Sequence, residues 1–394
     1  MIEISKDIFY VGVNDRTKHR FEALWPLPLG VSYNSYLIVD EKVALIDTVD
    51  HCHADLYLSK IKEVLGDRPI DYLVINHMEP DHSAAIRFIR QHYPDIILVG
   101  NGKTLQMVNG FYGICQGTHE VKDKDTLSLG SRSLHFYLTP MVHWPETMMT
   151  YDPLSKTLFS GDAFGCFGAL NGGVVDTEIN TDIYWDEMWR YYANIVGKYG
   201  SPVQKALQKL SETDIRLICS THGPVWKEQI SRVVDLYDRA SRYEGAPGVV
   251  IAYGSMYGNT EQMAEYMARV LVEKGIRDVV LHNVSKSNLS YVLRDIFKYK
   301  GLIIGSPTYT NDLFPEIESL ASKLESRDVK NRLFGYFGSY TWAGAAVRHL
   351  TAFAQKMRWE VVAEPVEMKQ GFSVDIMAPC RQLAESMAVR LQQA

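Results

Sequence analysis

The stretch "VINHMEPDHSAA", Val74 to Ala85, places His77, Glu79, Asp81 and His82 within six residues, directly after an apolar run that reads as a strand. Three more ligand-type residues stand just past strand-like segments: His143 in "PMVHWPE", Asp162 in "FSGDAF" and His222 in "CSTHGP". One tetrahedral zinc takes four ligands at most, so four imidazoles and three carboxylates exceed what a single ion needs. Two ions can share all seven if one carboxylate bridges. Asp162 is the natural bridge, and each ion then keeps an open position for a small substrate. Taken singly, each residue has a plainer reading, His143 or His222 as a hydrogen-bonded structural histidine and "SGD" as a turn. The quartet at 77–82 does not, because four such groups beside a core are costly without a cation. Asp47 in "LIDTVD" reads as structural, buried at a strand end. A second metal-like group, "DHCHAD" with His51, Cys52, His53 and Asp55, precedes a helical pattern in which Asp50 serves as the N-cap and the rest are solvated.

A different chemistry is written at Ser255-Met256-Tyr257-Gly258-Asn259-Thr260, between the strand "VVIAYGS" and a helix beginning near Glu261. Small hydroxyls and a glycine at such a turn set O–H and N–H donors around a phosphate at the positive end of a helix. The loop holds no Lys or Arg, so neutral donors would carry the phosphate. It is neither a Walker loop nor a Gly-x-Gly-x-x-Gly turn. Two later strand ends supply polar, glycine-flanked loops. "GSPTYTNDLFP" contains Pro307, Thr308, Tyr309 and Asn311, and "GSYTWAGAA" contains Ser339, Tyr340, Thr341, Trp342 and Gly344. Ligands of open parallel sheets bind at these carboxyl ends. Trp342, set between polar stretches, reads as a stacking aromatic rather than a core residue.

The elements that must position these groups fall into two halves. "YNSYLIV", "VALIDTV", "IDYLVIN", "DIILVG", "SLHFYLTP", "TLFSGD" and "IRLICSTHG" read as strands, with helical periodicity in "ADLYLSKIKEVL". After Gly245–Gly248, a linker by composition, "GVVIAYGS", "RDVVLHNV", "YKGLIIGSP" and "RLFGYFGSY" alternate with helices, the pattern of a parallel, doubly wound sheet. The expected domains are residues 1–246 and 247–394. At 394 residues one core is not enough, and 46% apolar with 22% charged residues is ordinary for a soluble protein. A net charge of −6 gives no reason to expect nucleic acid or an anionic membrane as partner. The N-terminus alternates like a strand rather than a signal peptide, and no apolar run reaches bilayer length, so a cytoplasmic protein is expected. Five widely spaced cysteines read as free thiols and leave no internal iron–sulfur or rubredoxin-type centre, so a redox partner of that kind must be a separate protein.

The order His77-x-Glu79-x-Asp81-His82, then His143, Asp162 and His222, resembles the metallo-β-lactamase-like domain of flavodiiron proteins. The zinc hydrolases of that fold carry His-x-His-x-Asp-His, with a histidine where Glu79 stands. Oxygen donors favour iron of variable oxidation state, and added nitrogen suits zinc. Two ferrous ions with three carboxylates keep one positive charge, which a bridging hydroxide neutralises. The three later loops resemble the FMN site of flavodoxin, with Tyr257 where a small hydroxyl residue is commonest. The resemblance covers essentially the whole chain. It implies an α/β architecture: an N-terminal metallo-β-lactamase-like αββα sandwich and a C-terminal flavodoxin-like doubly wound parallel sheet. The implied cofactors are FMN and two non-haem irons, with Trp342 and Tyr309 against the flavin ring and backbone amides around Thr308 and Asn311 at its pyrimidine edge.

The implied reaction is reduction of O2 to water and/or of NO to N2O, with electrons from a protein such as rubredoxin or from a reduced deazaflavin. A head-to-tail homodimer, or a dimer of such dimers, is implied as well, one subunit's FMN meeting the other's irons. In some relatives the residue at His82 turns away from the iron. One of Tyr191 and Tyr192 is expected to offer a hydrogen bond at the centre, its alternative being ordinary packing on the helix "WDEMWRYYANIV". The rival readings are a dizinc hydrolase fused to a flavodoxin-like electron carrier, and a carrier whose first domain only docks partners.

Overall fold

The computed structural model describes residues 1–393. They form two compact units, residues 1–191 with 201–238, and residues 192–200 with those from 239 onward.

The first unit is built on two sheets. The larger runs in the order Ile2–Ser5, Ile8–Tyr10, Tyr36–Val39, Val43–Ile46, Tyr72–Val74, Ile97–Gly100 and Thr118–Glu120. Its first four strands are antiparallel and the rest add in parallel. The second runs Thr126–Ser128, Ser133–Leu138, Met148–Asp152, Thr157–Gly161 and Leu217–Ser220, the last in parallel. The two sheets are tied by the Met148 amide donating to the Asn76 carbonyl (3.0 Å) and by Tyr36, whose ring packs 5.4 Å from that of Phe159. Strands Val43–Ile46, Tyr72–Val74, Met148–Asp152, Thr157–Gly161 and Leu217–Ser220 are buried at every residue. Both faces of each sheet must therefore be covered, one by the other sheet and one by helices. Helix Ala54–Leu65 shows how: it buries Ala54, Tyr57, Leu58, Ile61 and Leu65, one apolar stripe at helical spacing. This is the αββα sandwich.

The second unit holds one parallel sheet in the order Val279–Asn283, Ala246–Tyr253, Tyr299–Pro307, Leu333–Tyr340, with Glu360–Val361 and Val366–Lys369 both pairing to Leu333–Tyr340. Its first strand in sequence is interior, so connections run outward in both directions and leave a crevice beyond the strands' carboxyl ends. Helices Asn259–Glu273 and Val374–Gln393 contribute Met263, Met267, Leu271, Leu383, Met387 and Leu391 to the core beside it. Gly245–Gly248 differ from the linker expected of them. Ala246 already begins a strand, and the Pro and Gly mark an irregular register between Ala246 and Val249 rather than a free connection.

Candidate functional site

Every residue of the 77–222 ligand set follows a strand or sits in the turn between two. His77 comes after Tyr72–Val74, Glu79 is the N-cap of the short helix Pro80–Ser83 that carries Asp81 and His82, and His143 lies between Ser133–Leu138 and Met148–Asp152. Asp162 and His222 follow Thr157–Gly161 and Leu217–Ser220. Asp47 locks the first of these bends: its carboxylate accepts from the Asn76 amide (2.8 Å) and the Asn76 side chain (3.0 Å). Thr48 holds the other end, its amide and hydroxyl donating to the His82 carbonyl at 2.9 and 2.8 Å.

The side chains converge in two groups, His77, Glu79, His143 and Asp162 on one side and Asp81, His82 and His222 on the other, all buried. Asp162 divides its oxygens between them. Its Oδ2 lies 3.0 Å from His143 Nε2 and 3.7 Å from His77 Nε2, and Glu79 Oε2 lies 3.2 and 3.4 Å from the same nitrogens. Its Oδ1 lies 3.0 Å from His82 Nε2 and 3.7 Å from His222 Nε2, and the Asp81 oxygens lie 3.1 and 3.3 Å from them. Ligands bound at about 2.0–2.2 Å to a common ion stand roughly 3.0–3.6 Å apart, whether octahedral or tetrahedral. His82 is thus turned into the centre.

The donor set fits a pair of metal ions on a further observation. Although buried, His77 Nε2, Glu79 Oε2, both Asp81 oxygens, His82 Nε2 and His222 Nε2 have no hydrogen-bond partner. Buried polar atoms so orphaned are costly unless a cation takes them. Burial alone would push His143 toward neutrality, but the Asp162 and Glu79 carboxylates outweigh it and raise the imidazole to about 10. Burial likewise pushes Asp162 up, and the His82 and His77 rings reverse this and hold it well below the usual range.

Two imidazoles are aimed from behind. His77 Nδ1 bonds Glu146 Oε1 at 2.7 Å, and His222 Nδ1 donates to the Ser32 carbonyl at 2.8 Å, so both present Nε2 to the centre. Burial pushes the Glu146 carboxyl up, and its bonds to His77 and the Met78 amide outweigh that and keep it ionised. Neither Glu146 nor Ser32 stood out in the sequence; the one signal for Glu146 was a carboxylate three residues after a candidate ligand in "HWPE".

Tyr191 and Tyr192 separate. The Tyr191 ring lies 5.7 Å from that of His222, and burial first, then the Asp162 and Glu79 charges, push its hydroxyl well above its usual range. That hydroxyl is buried without a hydrogen-bond partner. Tyr192 instead packs 6.1 Å from Phe297. The "DHCHAD" residues are not gathered into a ligand cluster. Asp50 caps the turn His51–His53 through the Cys52 amide, Lys18 pairs with Asp50, and His53 pairs with Asp15.

Gly223 fixes the peptide after His222. Its φ is +78°, and a Cβ there would lie 2.3 Å from Cys166 Sγ. Gly223→Ala is expected to cost about 2–4 kcal/mol through left-handed strain and overpacking. Thermal melting would read this as a fall of several degrees in Tm, and an unchanged Tm would refute the argument.

In the second unit a cavity of about 570 Å³ lies at the carboxyl ends of Ala246–Tyr253, Tyr299–Pro307 and Leu333–Tyr340. Ser255, Met256, Tyr257, Asn259 and Thr260 line it from the first loop, Pro307, Thr308, Tyr309 and Asn311 from the second, and Ser339, Tyr340, Thr341 and Trp342 from the third. Trp342 and Tyr257 are each 89% exposed, which removes core packing as their role and leaves flat apolar faces beside the cavity. Gly258 and Gly344 do not line it. Gly258 (φ +88°) makes the turn that opens helix Asn259–Glu273. Thr310, Ala343 and Gln370 line it without having been singled out; Gln370 comes from beyond Val366–Lys369, too far along the chain for a loop motif to show.

Two family models match successive parts of the chain: residues 31–223 match the ODP family beta lactamase domain, and residues 251–381 match flavodoxin. The nitric oxide reductase of Moorella thermoacetica is 31% identical over 99% of this chain and 98% of its own length. The chain belongs to the flavodiiron protein family. Among solved structures of flavodiiron relatives, the rubredoxin oxygen:oxidoreductase of Desulfovibrio gigas is 29% identical and superposes with a TM-score of 0.94, covering 99% of this chain and 98% of that one. The flavodiiron protein of Giardia intestinalis does so with a TM-score of 0.94 at 27% identity, over 100% and 97%.

Proposed function

We propose that this flavodiiron protein is an oxidoreductase that passes electrons from FMN to a pair of non-haem irons and reduces O2 to water, NO to N2O, or both. The observation that carries it is the division of Asp162, one oxygen toward each group of ligands. Glu79 in place of a histidine, together with a flavodoxin domain and reductase relatives, favours this over a dizinc hydrolase. Bound there, FMN would supply electrons in pairs that can leave singly, and a pair of ferrous ions would supply open positions for a diatomic gas.

The residues' own work follows from their geometry. His77, Glu79, His143 and Asp162 would hold one ion, and Asp81, His82, His222 and Asp162 the other. Glu146 and Ser32 keep two of these imidazoles in the tautomer that offers Nε2. Tyr191, kept protonated by burial and by the nearby carboxylates, is a hydrogen-bond donor for an oxygen atom of the substrate. In the flavodoxin domain Ser255, Asn259 and Thr260 would hold the FMN phosphate, with the other lining residues of the three loops, Trp342 and Tyr309 among them, around the ring.

The D. gigas relative is named for rubredoxin, and a separate rubredoxin is the proposed donor here, a reduced deazaflavin being the alternative. A head-to-tail homodimer, alone or doubled into a tetramer, would bring one subunit's FMN to the other's irons. Among the described residues no helix is long and apolar enough to cross a membrane. All five cysteines are free, which suits a reducing cytoplasm; consuming O2 or NO there would serve detoxification.

Anaerobic purification should yield two irons and one FMN per chain, with gas consumed when reduced rubredoxin is supplied in separate O2 and NO cells. Zinc in the centre with esterase or lactamase activity would overturn the reading. Mixing an iron-free variant with a flavin-free one tests the dimer: subunit exchange should restore part of the turnover, and no recovery would argue for transfer within one chain.

A further inference from the structure

A cavity of about 250 Å³ opens onto Glu79 and Asp81, one ligand residue from each half of the centre, and its walls include Lys18, Glu22 and Asp50. Among the described residues Lys18 is the one cation on those walls, which carry four carboxylates. A surface lysine normally trails its head group in water. This one is tied at both ends. Its amide and that of Thr17 donate to Asp15 Oδ1 at 2.9 and 2.8 Å, which fixes the turn, and Asp15 Oδ2 is paired with His53 Nε2 at 3.1 Å. Its ammonium donates to the Tyr33 hydroxyl and to Asp50 Oδ2, both at 2.8 Å. An ammonium has three protons, so one remains for the cavity.

We propose that Lys18 is a catalytic residue of the reaction proposed above, donating a proton to a substrate oxygen during reduction. The inference rests on that reading. Reducing O2 to two waters consumes four protons and joining two NO into N2O and water consumes two, so a proton source must face the cavity in either case. In the step an Nζ–H bond breaks and an O–H bond forms. The N–H electron pair stays on nitrogen, solvent returns a proton to the partly exposed amine, and FMN provides the reducing electrons. The carboxylates of Asp50, Glu79 and Asp81 accept hydrogen bonds when ionised and cannot do this work; Glu22, whose carboxyl burial pushes up, is the competing donor on these walls. A neutral gas is indifferent to the charge at the mouth, so the effect belongs to turnover and not to substrate affinity.

The test uses protein loaded with iron and FMN, comparing Lys18→Met, Lys18→Arg, Lys18→Ala and Glu22→Gln. Lys18→Met should lower kcat by at least about tenfold with the gas KM nearly unchanged, since a positioned general acid contributes that much or more. Lys18→Arg keeps the charge and both anchors but releases no proton at working pH, so it should be nearly as slow. Added ethylammonium should restore part of the turnover of Lys18→Ala, and tetramethylammonium, which has no N–H, should not. Azide titration of the oxidised protein, read by absorption, should show about tenfold weaker binding in Lys18→Met, because a charge-assisted hydrogen bond is lost. Wild-type kcat in Lys18→Arg, or a loss of turnover in Glu22→Gln without one in Lys18→Met, would overturn the proposal. A wild-type protein with iron and FMN that consumed neither gas would overturn the underlying reading instead.

Discussion

Asp162→Ala is expected to empty both metal positions at once while leaving FMN in place. Its two oxygens serve different groups, Oδ2 with His143 and Oδ1 with His82, so removing one side chain removes a ligand from each ion. It also leaves four buried imidazoles with two carboxylates instead of three, one in each group, to face any cation. Loss of a single outer hydrogen bond to a ligand typically costs 10–100-fold in metal affinity, and loss of a shared ligand should exceed about a hundredfold. Iron analysis would show near-zero iron with normal flavin absorbance, and gas consumption would fall in proportion. Loss of one iron with the other retained would mean that Asp162 does not bridge.

Asn259→Asp should have the opposite result, iron retained and flavin lost. Asn259 opens helix Asn259–Glu273 and lines the larger cavity. A carboxylate at a helix N-terminus favours the helix, so the fold is not put at risk. The same charge would stand beside a phosphate dianion in a loop that offers only neutral donors. Like charges about 4 Å apart at a partly screened site repel by roughly 4 kcal/mol per charge pair, which corresponds to at least about a hundredfold in FMN Kd even after screening. Fluorescence titration of the apoflavoprotein would measure it, and an unchanged Kd would move the phosphate away from this loop.

Much of the fold and site was legible because the chemistry is local. The "NHMEPDH" run, the strand-end positions of His143, Asp162 and His222, and the three loops after three strands all declare themselves within short windows. What stayed hidden depends on contacts distant in sequence. Glu146 aims His77 across 69 residues, and Asp47 holds the Asn76 amide across 29. Tyr191 and Tyr192 are neighbours on a helix that widens into a π turn at Tyr192–Val196, so periodicity gave each an equal claim. The packing puts Tyr191 by His222 and Tyr192 by Phe297. Gly245–Gly248 misled for a related reason: a Gly-Ala-Pro-Gly run looks like a linker, and a parallel partner strand at Tyr299–Pro307 recruits it into a sheet. Lys18 looked like any surface lysine until Asp15, Tyr33 and Asp50 were seen to hold it.

The most direct test of the central claim is flavin reoxidation under the gas the wild-type protein consumes, NO or O2, followed by stopped-flow absorbance in fully reduced protein. If electrons pass from FMN to the metal pair, the wild-type flavin reoxidises as that gas is reduced, and the flavin of Asp162→Ala lags far behind over the same interval. Equal reoxidation rates in the two proteins would contradict the account.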